Sequence, residues 1–189
     1  MLLMPRKLAC KLRTDTKCSK SLYNAFHCMT NTVIFATMTE DVVFSGKGLT
    51  VSVDERVMRT WKDSRQIQPD AAESFGILIG SCKNTGNACR VEHITTPGQC
   101  DVQSRFHFLL HDPEHQEAAN RAFSQSAGFL GYLGTWHTHP EAHPTPSKLD
   151  ANDWLLCIKR NPDRLLYFVI VGTEEVRVFV RQGEKFEML

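Results

Sequence analysis

Apolar and polar positions alternate from Val42 onward and predict strands and helices in turn along the chain. Apolar residues at every second position, or in short runs, indicate strands, whereas Val57, Met58 and Trp61 follow the spacing of one helix face. Strands are predicted over residues 49–53, 75–80, 89–95, 105–110, 130–137, 165–171 and 176–181, and helices over residues 54–66, 113–126 and 147–159. This order predicts an α/β (α+β) domain, with a mixed β-sheet flanked by helices.

Polar residues and prolines mark the predicted ends of the helices. Asp54 and Asp112 precede two of them at positions where an N-cap is expected. Pro113 would occupy the first position of its helix, and Asn161 with Pro162 ends the last one. The three helices are therefore short and separately capped.

Residues 1–38 differ in character from the rest of the chain. Six basic residues stand there against Asp15, although the net charge of the whole chain is only +1, so the remainder is mildly acidic. Two interpretations stay open: a mobile basic tail, or an upstream extension ahead of a true start at Met38. In either case we expect residues 1–38 to be disordered, and residues 39–189 to form the folded domain.

Bulk composition narrows the class of protein. A length of 189 residues suits one domain, and 42% hydrophobic with 23% charged residues is ordinary for a soluble protein. A net charge near zero gives no support to nucleic-acid binding, and no apolar run reaches the roughly 20 residues that span a bilayer. The seven cysteines include no C-x-x-C pair, which favours free thiols in the cytoplasm over a disulfide framework.

Residues 136–153 contain the candidate metal-binding residues of the chain. His137 and His139 are two apart on a predicted strand, so both imidazoles project from the same face. Pro140 stops that strand, and Ser147 opens a helix in which Asp150 lies one turn further on. Two nitrogens and one carboxylate oxygen, with a fourth position left for water, suit a catalytic Zn²⁺.

This pattern, His-x-His-x₇-Ser-x-x-Asp, resembles the signature of the JAMM (also JAB/MPN) metalloproteases at every position. The family also uses a glutamate on a strand ahead of Gly-x-Leu-x-Gly, and Glu73 precedes Gly76, Leu78 and Gly80 in that pattern. The resemblance covers about residues 41–189 and implies the MPN fold. It implies a zinc metalloprotease in which His137, His139 and Asp150 bind the metal.

Glu73 and Ser147 are the candidate catalytic residues. Glu73 would accept a proton from the attacking water and pass it to the leaving nitrogen, a role that the resemblance also gives it. Ser147 would donate a hydrogen bond to the developing oxyanion. His143, in the Pro-rich loop between the histidine pair and Ser147, would close the metal site as a fourth ligand, so we expect it to line the substrate groove or be exposed instead.

Each of these residues also has a simpler structural explanation. Ser-x-x-Asp is a capping-box pattern, which is compatible with the metal role because it would hold Asp150 rigidly. A lone histidine is more often a hydrogen-bonded core residue, and Glu73 alone is an ordinary strand-edge carboxylate. Neither H-E-x-x-H nor the H-x-E with P-C-x-x-C of deaminases is present in the sequence.

The resemblance also implies a substrate. Residues 42–189 resemble the stand-alone JAMM proteins of integrative and conjugative elements, which include the deconjugating protease of CBASS anti-phage operons. There an E1–E2 fusion joins a cGAS-like nucleotidyltransferase to targets through its C-terminus, and the JAMM enzyme removes it. The expected partners are that conjugate, bound through its C-terminal tail, and an E1–E2 fusion, with no nucleic acid and no membrane.

Two alternatives remain open at this point. One is a peptidase that processes sulfur-carrier or ubiquitin-like proteins. The other is a non-catalytic MPN scaffold, although scaffolds of that type usually lose metal ligands that this chain keeps. DNA-repair relatives of the fold are disfavoured by the acidic body of the chain.

Overall fold

The computed structural model describes residues 41–189, and the predicted leader at 1–38 lies outside them. The strands are β1 (Val42–Gly46), β2 (Leu49–Val53), β3 (Phe75–Cys82), β4 (Ala88–Ile94), β5 (Val102–Ser104), β6 (His107–Leu109), β7 (Gly131–Thr138), β8 (Tyr167–Val171), β9 (Val176–Gln182) and β10 (Lys185–Met188). The helices are α1 (Glu55–Asp63), α2 (Glu114–Gln125) and α3 (Lys148–Arg160).

Eight of these strands form one sheet in the order β1-β2-β4-β3-β7-β8-β9-β10. The β2–β4 and β7–β8 pairs are parallel and the others antiparallel, which confirms the predicted mixed sheet. The prediction missed β1 and β10, because these outermost strands bury little and carry weak apolar alternation. The predicted strand over residues 105–110 overlaps β6, but the prediction missed β5, which pairs with β6 in a separate two-stranded hairpin.

Alternate residues of the central strands face two separate apolar clusters. In β3, Leu78 packs in the cluster that contains Trp61 of α1, whereas Ile77 packs with Trp154 of α3. Ala119 of α2 joins the second cluster. Because successive strand residues point to opposite faces, the sheet lies between α1 on one side and α2 with α3 on the other.

Capping side chains set the helix boundaries. The Asp54 carboxylate accepts from the Arg56 backbone N–H at 3.0 Å, which confirms it as the N-cap of α1. Helix α1 ends at Asp63, earlier than predicted, and the chain then turns Gln66 into the interior. Asp112 accepts from the Glu114 backbone N–H at 2.9 Å, where α2 begins.

No helix within residues 41–189 is long and apolar enough to cross a membrane.

A buried polar network ties the segment between β4 and α2 to the sheet. The Asp101 carboxylate accepts from the His111 backbone N–H at 2.7 Å and lies 2.8 Å from His115 Nε2. The other ring nitrogen of His115 contacts the hydroxyl of Thr95, which itself accepts from the Ile77 N–H. Because an ionised carboxylate can only accept hydrogen bonds, His115 Nε2–H donates to Asp101, and in the neutral ring Nδ1 then accepts from the Thr95 hydroxyl. This network anchors the segment that carries the β5–β6 hairpin.

The cysteines correct one sequence expectation. Cys82 and Cys89 lie opposite each other on β3 and β4 and form a disulfide, so the prediction of free thiols is wrong for this pair. Sequence spacing did not indicate it, because their proximity depends on the register of the β3–β4 hairpin. Cys100 is free and exposed, and Cys157 is free and buried, as expected.

Candidate metal centre and catalytic cleft

His137 and His139 stand at the end of β7 and face the same way. His137 pairs with Phe75 of β3 and with Ile170 of β8, so its strand is held on both sides. His139 follows the last residue of β7, and its backbone N–H donates to the Val171 carbonyl at 2.9 Å. The two Nε2 atoms lie 3.1 Å apart, and both residues are buried. The spacing prediction for this pair is therefore correct in geometry.

Asp150 reaches the same point from the start of α3. A complete capping box holds it, since the Ser147 hydroxyl accepts from the Asp150 N–H at 3.1 Å and the Asp150 carboxylate accepts from the Ser147 N–H at 2.7 Å. Asp150 Oδ1 lies 3.3 Å from His137 Nε2, and Oδ2 lies 3.5 Å from His139 Nε2. The carboxylate that caps α3 therefore also faces both histidines, which is compatible with the metal role that the sequence predicts for it.

The spacing of these donors fits a metal ion. The three side chains each offer one atom within 4.8 Å of the others. The two Nε2 atoms are 3.1 Å apart, and each lies within 3.5 Å of one of the two Asp150 carboxylate oxygens. Bonds of about 2.0–2.2 Å from a tetrahedral zinc would place neighbouring donors roughly 3.3 Å apart. The residues present are therefore arranged to hold a divalent cation.

Electrostatics favour the ligand forms of His137 and Asp150. Burial lowers the pKa of His137 and outweighs the opposing effect of Asp150. The lowered pKa keeps that imidazole neutral. Burial would raise the pKa of Asp150, but its hydrogen bonds with both histidines outweigh burial and hold the pKa well below its usual range. For His139, burial is likewise outweighed by Asp150 and Glu141, and the pKa is raised. A neutral imidazole and an ionised carboxylate are what metal binding requires.

Glu73 shares a cleft with this group. It lies two residues before β3, which agrees with the strand predicted over residues 75–80 but not with the strand position that the resemblance implies. Its backbone N–H donates to the Ser104 carbonyl at 2.9 Å. Its side chain is buried, and burial raises its pKa from 4.5 to about 7, with Asp150 adding to the rise and His139 opposing it. A carboxyl group with this pKa can accept and release a proton near neutral pH.

The cleft is small and has both polar and apolar walls. Its volume is about 200 Å³. Besides Glu73, His139, Ser147 and Asp150, its wall contains residues that the sequence did not single out for this role: Phe106, His107, Phe108, Pro140, Glu141, Leu149 and Asp153. Most of these come from the β5–β6 hairpin and from α3. A sequence prediction that recognised β5 and β6 as a hairpin would have marked the turn between them as a candidate wall of the cleft.

His143 lies outside the candidate metal-binding group of His137, His139 and Asp150, called the metal group below. Its side chain is 65% exposed, and its Nδ1 is 2.9 Å from the Glu175 carboxylate. Of the two expectations for His143, that it lines the groove or that it is exposed, the structure agrees with the second. His107 lies in β6 and does line the cleft, whereas His115 is committed to the buried pair with Asp101.

Comparison with known proteins shows which family this chain resembles. The family described as prokaryotic homologs of the JAB domain matches residues 57–182. A protein of Escherichia coli (strain TW11681) named "CD-NTase/cGAS isopeptidase" is 38% identical over 126 residues, which cover 67% of this chain and 78% of that protein. A protein of Vibrio cholerae serotype O1 with the same name is 38% identical over 113 residues, covering 59% of this chain and 69% of that protein.

A solved structure supports the fold independently. The solution structure of a protein from Desulfitobacterium hafniense superposes with a TM-score of 0.53 at 22% sequence identity, covering 74% of this chain and 89% of that one. At this identity the likeness concerns the fold alone. Because the family match extends over more than half of the chain and includes the histidine pair, Ser147 and Asp150, this protein belongs to the prokaryotic JAB-domain family.

Proposed function

We propose that this protein is a zinc-dependent isopeptidase that removes a C-terminally conjugated cGAS-like nucleotidyltransferase from its targets in anti-phage defence. The observation that carries the proposal is the convergence of His137, His139 and Asp150 on one point, with Glu73 in the same cleft. The relatives named "CD-NTase/cGAS isopeptidase" support the substrate class. An E1–E2 fusion that makes the conjugate is the matching partner.

Zinc is the metal that the donor set favours. Two imidazoles and one carboxylate, with a fourth position open, are typical of catalytic zinc sites. Aromatic side chains pack around the group, with the ring centroid of Phe108 5.3 Å and that of Trp154 6.3 Å from the His137 ring. When bound, zinc supplies Lewis acidity towards the scissile carbonyl and towards water.

Glu73 is proposed to move the proton. Its carboxylate would take a proton from the attacking water and deliver it to the leaving nitrogen of the conjugate. The pKa of about 7, raised by burial, supports this because both transfers then have a small free-energy difference near neutral pH. Acid–base assistance of this kind is typically worth about 10²–10⁴-fold in rate.

Ser147 is proposed to stabilise the oxyanion. Its hydroxyl oxygen accepts from the Asp150 N–H at 3.1 Å, and the residue lines the cleft beside the metal group. Its hydroxyl proton would be donated to the carbonyl oxygen as negative charge develops there. The capping box restricts the Ser147 side chain, so the donor is oriented before substrate binds.

An extended substrate tail suits the cleft. Phe106 is 70% exposed and Leu149 39% exposed, and both line its wall. The C-terminal tail of the nucleotidyltransferase would lie between them and add a strand beside the sheet, a common mode of peptide recognition. The tail would thereby bring its terminal carbonyl to the metal group.

The test compares two fusion substrates. In one, a reporter follows the C-terminus of a cGAS-like nucleotidyltransferase, and in the other the same reporter follows a ubiquitin-like sulfur carrier. We expect zinc-loaded protein to cleave the first fusion and His143→Ala to cleave it equally well, because His143 lies outside the metal group. Cleavage of the sulfur-carrier fusion alone would replace the proposed substrate with the alternative one.

A further inference from the structure

Gln66 is a buried polar side chain whose every polar atom is used. It is 2% exposed and follows the end of α1. Its Nε2 donates to the carbonyls of Ala71 at 3.0 Å and Arg105 at 2.9 Å, and its Oε1 accepts from the Thr138 hydroxyl at 3.1 Å. With two carbonyls facing the NH₂ group and a hydroxyl facing the oxygen, only one orientation of the amide satisfies all partners.

These partners surround Glu73. Ala71 lies two residues before it, and Arg105 follows Ser104, whose carbonyl accepts from the Glu73 backbone N–H. Thr138, between the two metal histidines, accepts from the Ser74 N–H through its hydroxyl at 2.9 Å, and its own N–H donates to the Ser74 carbonyl at 2.9 Å. One amide therefore connects the segment on both sides of Glu73 with the metal-bearing strand and with the hairpin.

Glu73 depends on this connection more than the metal ligands do. His137 is held by strand pairing on both sides, and Asp150 by its capping box. Glu73 precedes its strand, and within residues 41–189 its carboxylate has no hydrogen-bond partner. The position of that carboxylate is consequently set by the backbone of residues 71–74.

We propose that Gln66 is a positioning residue: its amide fixes residues 71–74 against Thr138 and so sets where the Glu73 carboxylate stands relative to the metal group. Its effect on rate rests on the function proposed above. Gln66 itself does not line the cleft, so its influence passes through Thr138 and the backbone beside Glu73.

Kinetics on the nucleotidyltransferase–reporter fusion test this role. Gln66→Leu keeps the volume but loses all the bonds, and because a misplacement of about 1 Å at a reacting group costs about 100-fold, we expect kcat to fall by that order. KM and zinc content should not change, which is the pattern of an interaction needed only in the transition state. Asn161→Ala, which removes a buried side-chain bond at the far end of α3, should leave kcat within about twofold.

Substitutions at Thr138, the hydrogen-bond partner of Gln66, test the same role. They also provide a test if Gln66→Leu does not fold. Thr138→Val removes the hydroxyl and should lower kcat as Gln66→Leu does, whereas Thr138→Ser retains it and should restore most of the rate. The double variant, Gln66→Leu with Thr138→Val, should be little slower than either single variant, because both changes break one network. Additive losses, or equal rates for Thr138→Val and Thr138→Ser, would overturn the proposal.

Amide hydrogen exchange separates this inference from the proposed function, since it needs no substrate. In Gln66→Leu, or in Thr138→Val, the amides of Glu73 and Ser74 should exchange at least about tenfold faster than in the wild type, with those of α3 unchanged. If the wild type cleaves neither fusion, the proposed function fails. The exchange rates of the Glu73 and Ser74 amides still test whether Gln66 holds residues 71–74 in place. Unchanged exchange at Glu73 and Ser74 would overturn the role of Gln66 whatever the kinetics.

Discussion

The turn between β8 and β9 holds the loop that joins the metal histidines to Ser147. Thr173 N–H donates to the Glu141 carbonyl at 2.8 Å, and Glu175 N–H donates to the Ala142 carbonyl at 3.2 Å. Gly172 lies directly under this loop, and its φ is not in the left-handed region. Gly172→Ala therefore adds one methyl group without straining its own backbone, and tests how closely the loop must sit.

The expected size of the effect follows from the contacts. A Cβ at position 172 would lie 2.5 Å from Pro144 Cδ, 2.6 Å from the Glu141 carbonyl oxygen and 2.7 Å from that of Ala142. Since carbon atoms rest at about 3.5 Å or more, the loop must retreat by about 1 Å. A displacement of about 1 Å near a reacting centre costs about 100-fold in rate. Overpacking of this kind also costs about 1–3 kcal/mol of stability.

The assay measures kcat/KM on the fusion substrate together with the unfolding midpoint. Gly86→Ala is the matched control, because φ there is +71° and nothing lies within 4 Å of its Cβ. That variant should lose about 1–2 kcal/mol through left-handed strain but keep its activity. If Gly172→Ala loses no more activity than Gly86→Ala, docking of the loop on this turn is not needed for catalysis.

Further predictions concern the metal and the charge at a helix cap. Asp150→Asn should bind far less zinc than His143→Ala, because a neutral amide replaces the ionised ligand while His143 lies outside the group; equal metal content in the two variants would refute the assignment. Hydrogen bonding to Arg56 lowers the pKa of Asp54 from 3.8 to about 2, so its charge stabilises the fold above pH 3.8 and ceases to do so as the pH falls through about 2. Asp54→Asn keeps a good N-cap, so urea unfolding should show it less stable than the wild type at pH 7, with a difference that shrinks as the pH falls through about 2. A difference that persists unchanged at low pH would contradict this.

The metal group could be predicted from sequence because its geometry is local. A period of two brings His137 and His139 to one face, and a capping box fixes Asp150 relative to Ser147. The contact that joins these pieces, between β7 and α3, was proposed from the short spacing between them, and the family resemblance supported it. Glu73 was identified from the family resemblance, and the strand predicted over residues 75–80 placed it correctly just before β3.

What the sequence could not indicate depends on contacts between distant segments. Gln66 and Thr138 are 72 residues apart, and nothing near Gln66 in the sequence marks it as buried. The Cys82–Cys89 disulfide depends on strand register, and the pair of Asp101 with His115 depends on how the loop folds back. In each case the physical signal is a partner that only the folded chain brings close.

Glu73→Gln tests the central claim most directly, with cleavage of the nucleotidyltransferase–reporter fusion and zinc content measured for both proteins. The substitution keeps the size of the side chain and removes its ability to accept a proton. The account predicts that both proteins bind about one zinc per chain and that the variant cleaves about 10²–10⁴-fold more slowly. A zinc-loaded variant that cleaves at the wild-type rate would contradict the role of Glu73, and a wild type that binds no metal would contradict the site itself.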